Sequence, residues 1–314
     1  MLRLQALLMP VYRRALVHRS VTTFPLPLLK CSLARSEDEI KLTKGVLCGI
    51  ISELKDDIPR ALSAVGLLTN ALEGRVLCKL HTDSWPSFNT LVCQVIYPRA
   101  SEVADLLCYS RGSGDDLLQL LLSQNLISWR KKQEIYYLES ELSDYLCEHL
   151  VDPSTGRKVL SNFLEGVAAY LPNNKTEMPC PDGFVLGSLK PHHTPLVVKH
   201  WDRLRGWPKE MSYYEGLISN FESRALYSVD DLDSPVTWSL QHVYGSIGGL
   251  FSIEAFRENS LGSFVAMEMS KAVAAQGLTP WSVLQVENTT MRKMSAKLGG
   301  LESKYTLKRS ALGL

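Results

Sequence analysis

Residues 257–262, Arg-Glu-Asn-Ser-Leu-Gly, follow a short apolar run and open a segment with helical apolar spacing. A loop of small residues entering a helix presents unpaired backbone N–H groups and the positive end of the helix dipole. Such a site holds a pyrophosphate, and Arg257 at the start of the loop can add a charge-assisted hydrogen bond. The loop alone reads equally well as an ordinary strand-to-helix turn. Other chemistry-bearing residues carry less. His192, His193 and His200 have no acidic or cysteine partner at metal-ligand spacing, so no metal site is expected and core or surface histidines are the simpler reading. Asp230, Asp231 and Asp233 fall in a turn between two strands, a poor setting for paired carboxylate chemistry.

The elements around the loop are legible. The alternation in VTWSLQHV (236–243) suits a half-buried strand, Tyr244-Gly245-Ser246 a turn, and GGLFSIEAF (248–256) an antiparallel return. In 261–276, Leu261, Phe264, Val265, Met269, Ala272 and Val273 share one helical face, and Gly277 is placed to end the helix. WSVLQVE (281–287) reads as a strand, and Asn288 opens a last helix stopped by Gly299 and Gly300. Upstream, 37–72 reads as two helices divided by Pro59, with Ile40, Val46, Leu47, Ile50, Ile51 and Leu54 giving the first an apolar face. Strands are expected at 76–80 and 90–97, a helix in DDLLQLLLSQ, and a further helix over Val159–Tyr170. The prolines of 171–183 mark a linker.

Composition bounds the partners. The chain has 314 residues, 45% of them hydrophobic, enough for a sizeable core in two domains. A net charge of +1 gives no reason to expect nucleic acid, and no run approaches the length of a membrane span. The seven cysteines are odd in number and have no CxxC pair, which suits reduced thiols rather than a disulfide framework or a zinc site. Residues 1–36 hold Arg3, Arg13, Arg14, Arg19, Lys30 and Arg35 and no acidic residue. That is the composition of a mitochondrial transit segment, and the expected location is the matrix. Removing those six charges leaves residues 37–314 at −5.

Four stretches, in order, resemble the glycine N-acyltransferase family of animal mitochondria, a branch of the GNAT superfamily. They are DSWPSFNTLVC (83–93), LISWRKKQEI (126–135), VVKHWDRLRG (197–206) and ENTTMRKMS (287–295). The loop itself resembles the GNAT signature Arg/Gln-x-x-Gly-x-Gly/Ala, with Ser260 in place of the first glycine. The resemblance implies an α/β (α+β) fold of two GNAT-like domains, each a mixed, mostly antiparallel twisted sheet flanked by helices. The implied division is a transit segment at 1–36, an N-terminal domain at 37–172, a linker at 173–183, a C-terminal acyl-CoA-binding domain at 184–304 and a tail at 305–314.

Acyl-CoA is the implied co-substrate, and its partner in the reaction is a small amino acid, glycine or glutamine. Pantetheine would enter between two splayed strands, and the pyrophosphate would lie on the backbone of Arg257, Glu258, Asn259, Ser260, Leu261 and Gly262. Asn288 matches the position beside the thioester and also suits a helix N-cap; Ser295 matches the position that donates a proton to the departing thiolate. The family's catalytic glutamate sits eleven residues before the loop arginine, which here is Ser246. A lone hydroxyl cannot deprotonate an ammonium at neutral pH, so His242 or Glu254 is expected to substitute. The alternatives are attack by the small fraction of free amine, or an acyl-CoA-binding relative that does not turn over.

Overall fold

The computed structural model describes residues 30–33, 36–41, 44–96, 105–172, 177–201, 211–257 and 260–312. The transit expectation falls largely on residues outside these, although two short strands, β1 (Lys30–Leu33) and β2 (Ser36–Lys41), are described. Helices α1 (Lys44–Lys55) and α2 (Leu62–Leu72) follow, broken near Pro59 as expected. Leu47, Ile50, Ile51 and Leu54 of α1 are all buried, most of the face that the apolar spacing marks, whereas Ile40, read into the same helix, lies in β2. Next come β3 (Leu77–Thr82), β4 (Thr90–Ile96) and β5 (Asp105–Ser110), an antiparallel meander. The strand β5 has no counterpart in the sequence reading. Helix α3 (Gly114–Ser123) starts where Ser113 and Asp116 cap each other reciprocally, which satisfies two otherwise orphaned N–H groups. β6 (Gln133–Glu139) and helix α4 (Ser140–His149) lead to β7 (Leu160–Tyr170).

The helix expected over Val159–Tyr170 is therefore a strand. The segment is paired along both edges, which outweighs any local helical signal. Gly166 is central to that pairing: a Cβ there would lie 2.6 Å from the Leu284 carbonyl oxygen, so only glycine lets the neighbouring backbone pass.

The C-terminal half runs β8 (Phe184–Gly187), α5 (Thr194–Trp201), α6 (Met211–Asn220), β9 (Ser223–Ser228), β10 (Asp231–Gln241) and β11 (Ile247–Ser252). Then come α7 (Leu261–Ala274), β12 (Trp281–Gln285), α8 (Thr289–Lys297) and β13 (Leu301–Leu312). The six residues expected on the inner face of α7 are all buried, as are Met267 and Ser270. A helix buried around so much of its circumference sits inside a core rather than on a surface. Gly277 and Gly299, both at positive φ, follow α7 and α8 as the expected stops.

Two sheets result. One has four strands in the order β11-β10-β9-β8; the other has nine, β12-β7-β13-β6-β5-β4-β3-β1-β2. Residues 305–312, set apart as a tail in the sequence reading, belong to β13, which pairs with both β6 and β7 deep in the large sheet. Chain order and sheet membership part company here. β12 and β13 come from the C-terminal half, yet they complete a sheet begun by the N-terminal strands.

A polar chain ties the halves together beside the β10–β11 turn. Asn70 Nδ2 of α2 donates to the Val243 carbonyl at 3.0 Å, and Arg75 donates to the Asn70 and Gln276 side-chain oxygens at 3.1 and 2.6 Å. Gln276 in turn exchanges hydrogen bonds with Gln241. The same turn packs on Gly66 of α2, where a Cβ would run into the Tyr244 carbonyl.

Candidate active site

β11 ends one sheet and β12 ends the other, so each has an edge without a strand partner among the described residues. The two strands face each other across a cavity of about 330 Å³. Gly249, Leu250 and Phe251 of β11 line one side and Ser282–Gln285 of β12 the other. Exposed strand edges offer alternating N–H and C=O groups, which suit a ligand carrying amides along an extended chain.

The N-terminus of α7 packs beside β11, Gly262 facing Ser252 and Leu250, but none of the described residues among 257–262 lines the cavity itself. Its first-turn N–H groups have no intrahelical acceptors, the Ser260 side chain makes no cap hydrogen bond, and no acidic residue occupies the first turn. Arg257 is exposed beside it, its Nε donating to the Ser252 carbonyl at 3.2 Å and its guanidinium lying over the Phe251 ring. A phosphate group fits this chemistry. Glu258 and Asn259 lie outside the described residues. Gly262 leaves open space, since a Cβ there would meet only Ser252 Oγ at 3.7 Å and Leu250 Cδ2 at 3.9 Å.

Ser260 has φ of 57°, the left-handed region that glycine occupies without penalty. A glycine, which the resembled signature has at this position, would adopt that φ without strain. We expect Ser260→Gly to stabilise the protein by about 1 kcal/mol by removing that strain, read from the urea midpoint at unchanged slope. An unchanged or lower midpoint would show that the serine side chain compensates.

Asn288 is the helix cap read from the sequence and also lines the cavity. Its Oδ1 accepts from the Met291 N–H at 3.1 Å. Ser295, about two turns further along α8, lines it too. Gly300 has no Cβ because Ser295 Oγ occupies that space, which fixes the hydroxyl against the end of the helix.

The three candidate bases separate in space. Glu254 is exposed in the short 3₁₀ turn after β11 and is not a lining residue. Ser246 is 1% exposed and also stands off the cavity, with its hydroxyl against the buried Tyr137 phenol. His242 alone lines the cavity. Its backbone closes the β10–β11 turn, the N–H donating to the Ser246 carbonyl at 2.8 Å and the carbonyl accepting from Gly245 at 2.9 Å. The ring lies over Gly248, where an added Cβ would come within 2.5 Å of Nε2. With Gly249 at φ of 60°, the glycine-rich start of β11 makes room for the imidazole. Burial, aided by the positive charge of Arg309, lowers the His242 pKa to about 4. At neutral pH the ring is therefore uncharged, with a lone pair open to a proton, and a weaker base than free imidazole.

The remaining polar groups of this end come from remote parts of the chain, and the sequence reading missed them. Arg309 of β13, Tyr136 and Tyr137 of β6, and Tyr213 of α6 all line the cavity with His242. Tyr137 packs edge-on against Tyr244 and Trp281, and His200 of α5 stacks on Phe251 with ring centroids 4.4 Å apart. No local motif marks these residues; only the φ of 53° at Tyr137 shows, after folding, that its strand bulges towards the site. His193, by contrast, accepts from the Lys190 N–H at 2.9 Å and bonds the Asp233 carbonyl, a structural histidine. Among the described residues no group of histidine, cysteine and carboxylate side chains is placed to hold a metal, and no helix is long and apolar enough to cross a membrane.

Two sheets parted at β11 and β12, with an uncapped helix start packed on β11, give a mixed α/β fold of the GNAT type. Solved structures agree. A Drosophila protein superposes with a TM-score of 0.70 at 16% identity, covering 87% of this chain and 97% of its own. A tandem GNAT protein from the clavulanic acid biosynthesis pathway gives 0.50 at 11% identity, over 90% and 97% of the two chains. Residues 225–308 match the family model described as FR47-like protein. Along most of its length the chain is similar to glycine N-acyltransferases. It is 25% identical to the enzyme of Rattus norvegicus over 269 residues, 78% of this chain and 88% of that protein. It is 24% identical to that of Homo sapiens over 268 residues, and 23% identical to the glycine N-phenylacetyltransferase of Bos taurus over 269. The resemblance drawn from four short stretches is thereby shown over most of the chain.

Proposed function

We propose that this protein is an acyl-CoA-dependent N-acyltransferase that transfers an acyl group to the amine of glycine or glutamine and releases CoA. The observation that carries this reading is the uncharged His242 in a cavity bounded by the parted edges of β11 and β12. Pantetheine amides pair with those edges, and the pyrophosphate rests on the start of α7 beside Arg257. The acceptor's amine nitrogen attacks the thioester carbonyl carbon. His242 takes the proton that the nitrogen sheds as the C–N bond forms. The tetrahedral intermediate then collapses, the C–S bond breaks, and Ser295 Oγ passes a proton to the thiolate, yielding the amide and CoA. Import into the mitochondrial matrix, proposed from residues 1–36, is tested by fusing that segment to a fluorescent reporter; a diffuse cytosolic signal would reject it.

A second reading is supported by the placement of Ser246. If the histidine does not serve as base, the chain is an acyl-CoA-binding relative without turnover. Free-thiol release from a panel of acyl-CoAs by the full chain, with and without glycine or glutamine, separates the two. We expect acceptor-dependent release from the native protein and none gained by Ser246→Glu. That substitution buries a carboxylate beside the Tyr137 phenol and costs several kcal/mol of stability, on the order of an unpaired buried charge. A silent native protein that Ser246→Glu awakens would establish the second reading.

A further inference from the structure

We propose that Arg309 recognises the carboxylate of the acceptor, making this site selective for amino acids over simple amines. The inference rests on the N-acyltransferase reading and names which part of the acceptor the site reads. Arg309 lines the same cavity as His242 but projects from β13, two strand spacings from β12 and so roughly 10 Å from the parted edge. The thioester is presented at that edge, and a small acceptor fits between it and the guanidinium.

The guanidinium is built in rather than adventitious. One Nη2 hydrogen bonds to Glu134 Oε2 at 2.5 Å and to the Tyr136 hydroxyl at 3.2 Å, and the group stacks over the Tyr136 and Phe163 rings. Burial would lower its pKa, but the facing Tyr136 phenol and Glu134 carboxylate outweigh that and the net shift is upward, so the charge is permanent. Its Nε is buried and has no hydrogen-bond partner among the described residues. A buried donor on a cation is costly to leave unused. The Nε is closed off from the cavity, so a ligand carboxylate would reach the guanidinium through Nη1, which makes no hydrogen bond among the described residues. Glu134 and Tyr136 both engage Nη2. The remaining lining groups nearby, Tyr136, Tyr137, Tyr213 and neutral His242, carry no competing negative charge.

The test compares glycine with glycinamide, which keeps the amine and removes the carboxylate charge. Arg309→Met alone strands Glu134 in a buried site, so it is made both alone and with Glu134→Gln, and Arg309→Lys is made as the conservative variant. We expect KM for glycine to rise roughly tenfold or more in each Met variant, while KM for glycinamide and acyl-CoA affinity change little; kcat for both acceptors shifts together, because Arg309 also acts on the His242 pKa. Arg309→Lys should restore part of the glycine preference. Equal rises in KM for both acceptors, or weakened acyl-CoA binding, would overturn the assignment and leave Arg309 a structural residue. Binding is measured in parallel, because it does not need turnover: N-acetylglycine and N-acetylglycinamide are titrated against the CoA-loaded protein. If the protein proves catalytically silent, loss of N-acetylglycine preference in the Met variants still supports carboxylate recognition. Equal affinity of the native protein for the two ligands refutes it.

Discussion

Replacing His242 by glutamine is expected to lower acceptor-dependent turnover by roughly 100- to 10,000-fold, the usual contribution of a general base, with acyl-CoA affinity unchanged. Glutamine keeps the polar shape over Gly248, so the turn should persist. The pH dependence carries a second signature. Because the native ring titrates near pH 4, the rate should show no inflection around 6.5 and should climb from pH 7 to 9 with the free-amine fraction. Stability should show the linked effect. The folded pKa lies below the ordinary value near 6.5, so between about pH 6.5 and 4 the unfolded state binds more protons and the native protein loses stability as pH falls. His242→Gln should flatten that part of the curve, although His81 and His193, whose pKa values burial also lowers, contribute to the remainder. Native-like turnover in His242→Gln would remove the histidine from the mechanism.

Gly66→Ala should be the most damaging substitution outside the cavity. In an exposed helix the exchange gains about 1 kcal/mol from propensity, and Gly49→Ala in α1, with nothing within 4 Å, serves as that control. At Gly66 the new methyl meets the carbonyl oxygen of Tyr244 and the Cα of Gly245, both backbone, so α2 or the β10–β11 turn must move. Overpacking of this kind costs about 1–3 kcal/mol. The turn carries His242, and it is held by Asn70 and the Arg75–Gln276–Gln241 chain, so its displacement misaligns the base. A shift of about 1 Å at a reacting group can cost roughly 100-fold in rate. We therefore expect Gly66→Ala to lower both the denaturation midpoint and kcat, while Gly49→Ala raises the midpoint and leaves kcat alone. A stable, fully active Gly66→Ala would mean that the turn is free to shift without consequence.

Gly66 also shows where sequence reading stopped. In the chain it is an ordinary glycine in an apolar helix; its meaning comes from a turn some 180 residues away. Local signals were read well where one rule dominated. The inward face of α7, its glycine stop, the Asn288 cap and the break near Pro59 are short-range features, and each follows from helical period or capping chemistry. Short apolar segments fared worse. β5 was missed and β7 was read as helix, because a run of mixed apolar residues does not distinguish a doubly paired strand from a buried helix.

The sequence by itself determined the helix after the 257–262 loop and the family resemblance carried by four short stretches. These depend on neighbours in the chain. Only the tertiary structure separated the three candidate bases, placing His242 in the cavity, Ser246 beside Tyr137 and Glu254 outside. It also brought in Arg309 by laying β13 between β6 and β7. The reason is physical: strand pairing joins residues of any sequence separation, and the facing of a side chain depends on a register that no local pattern encodes.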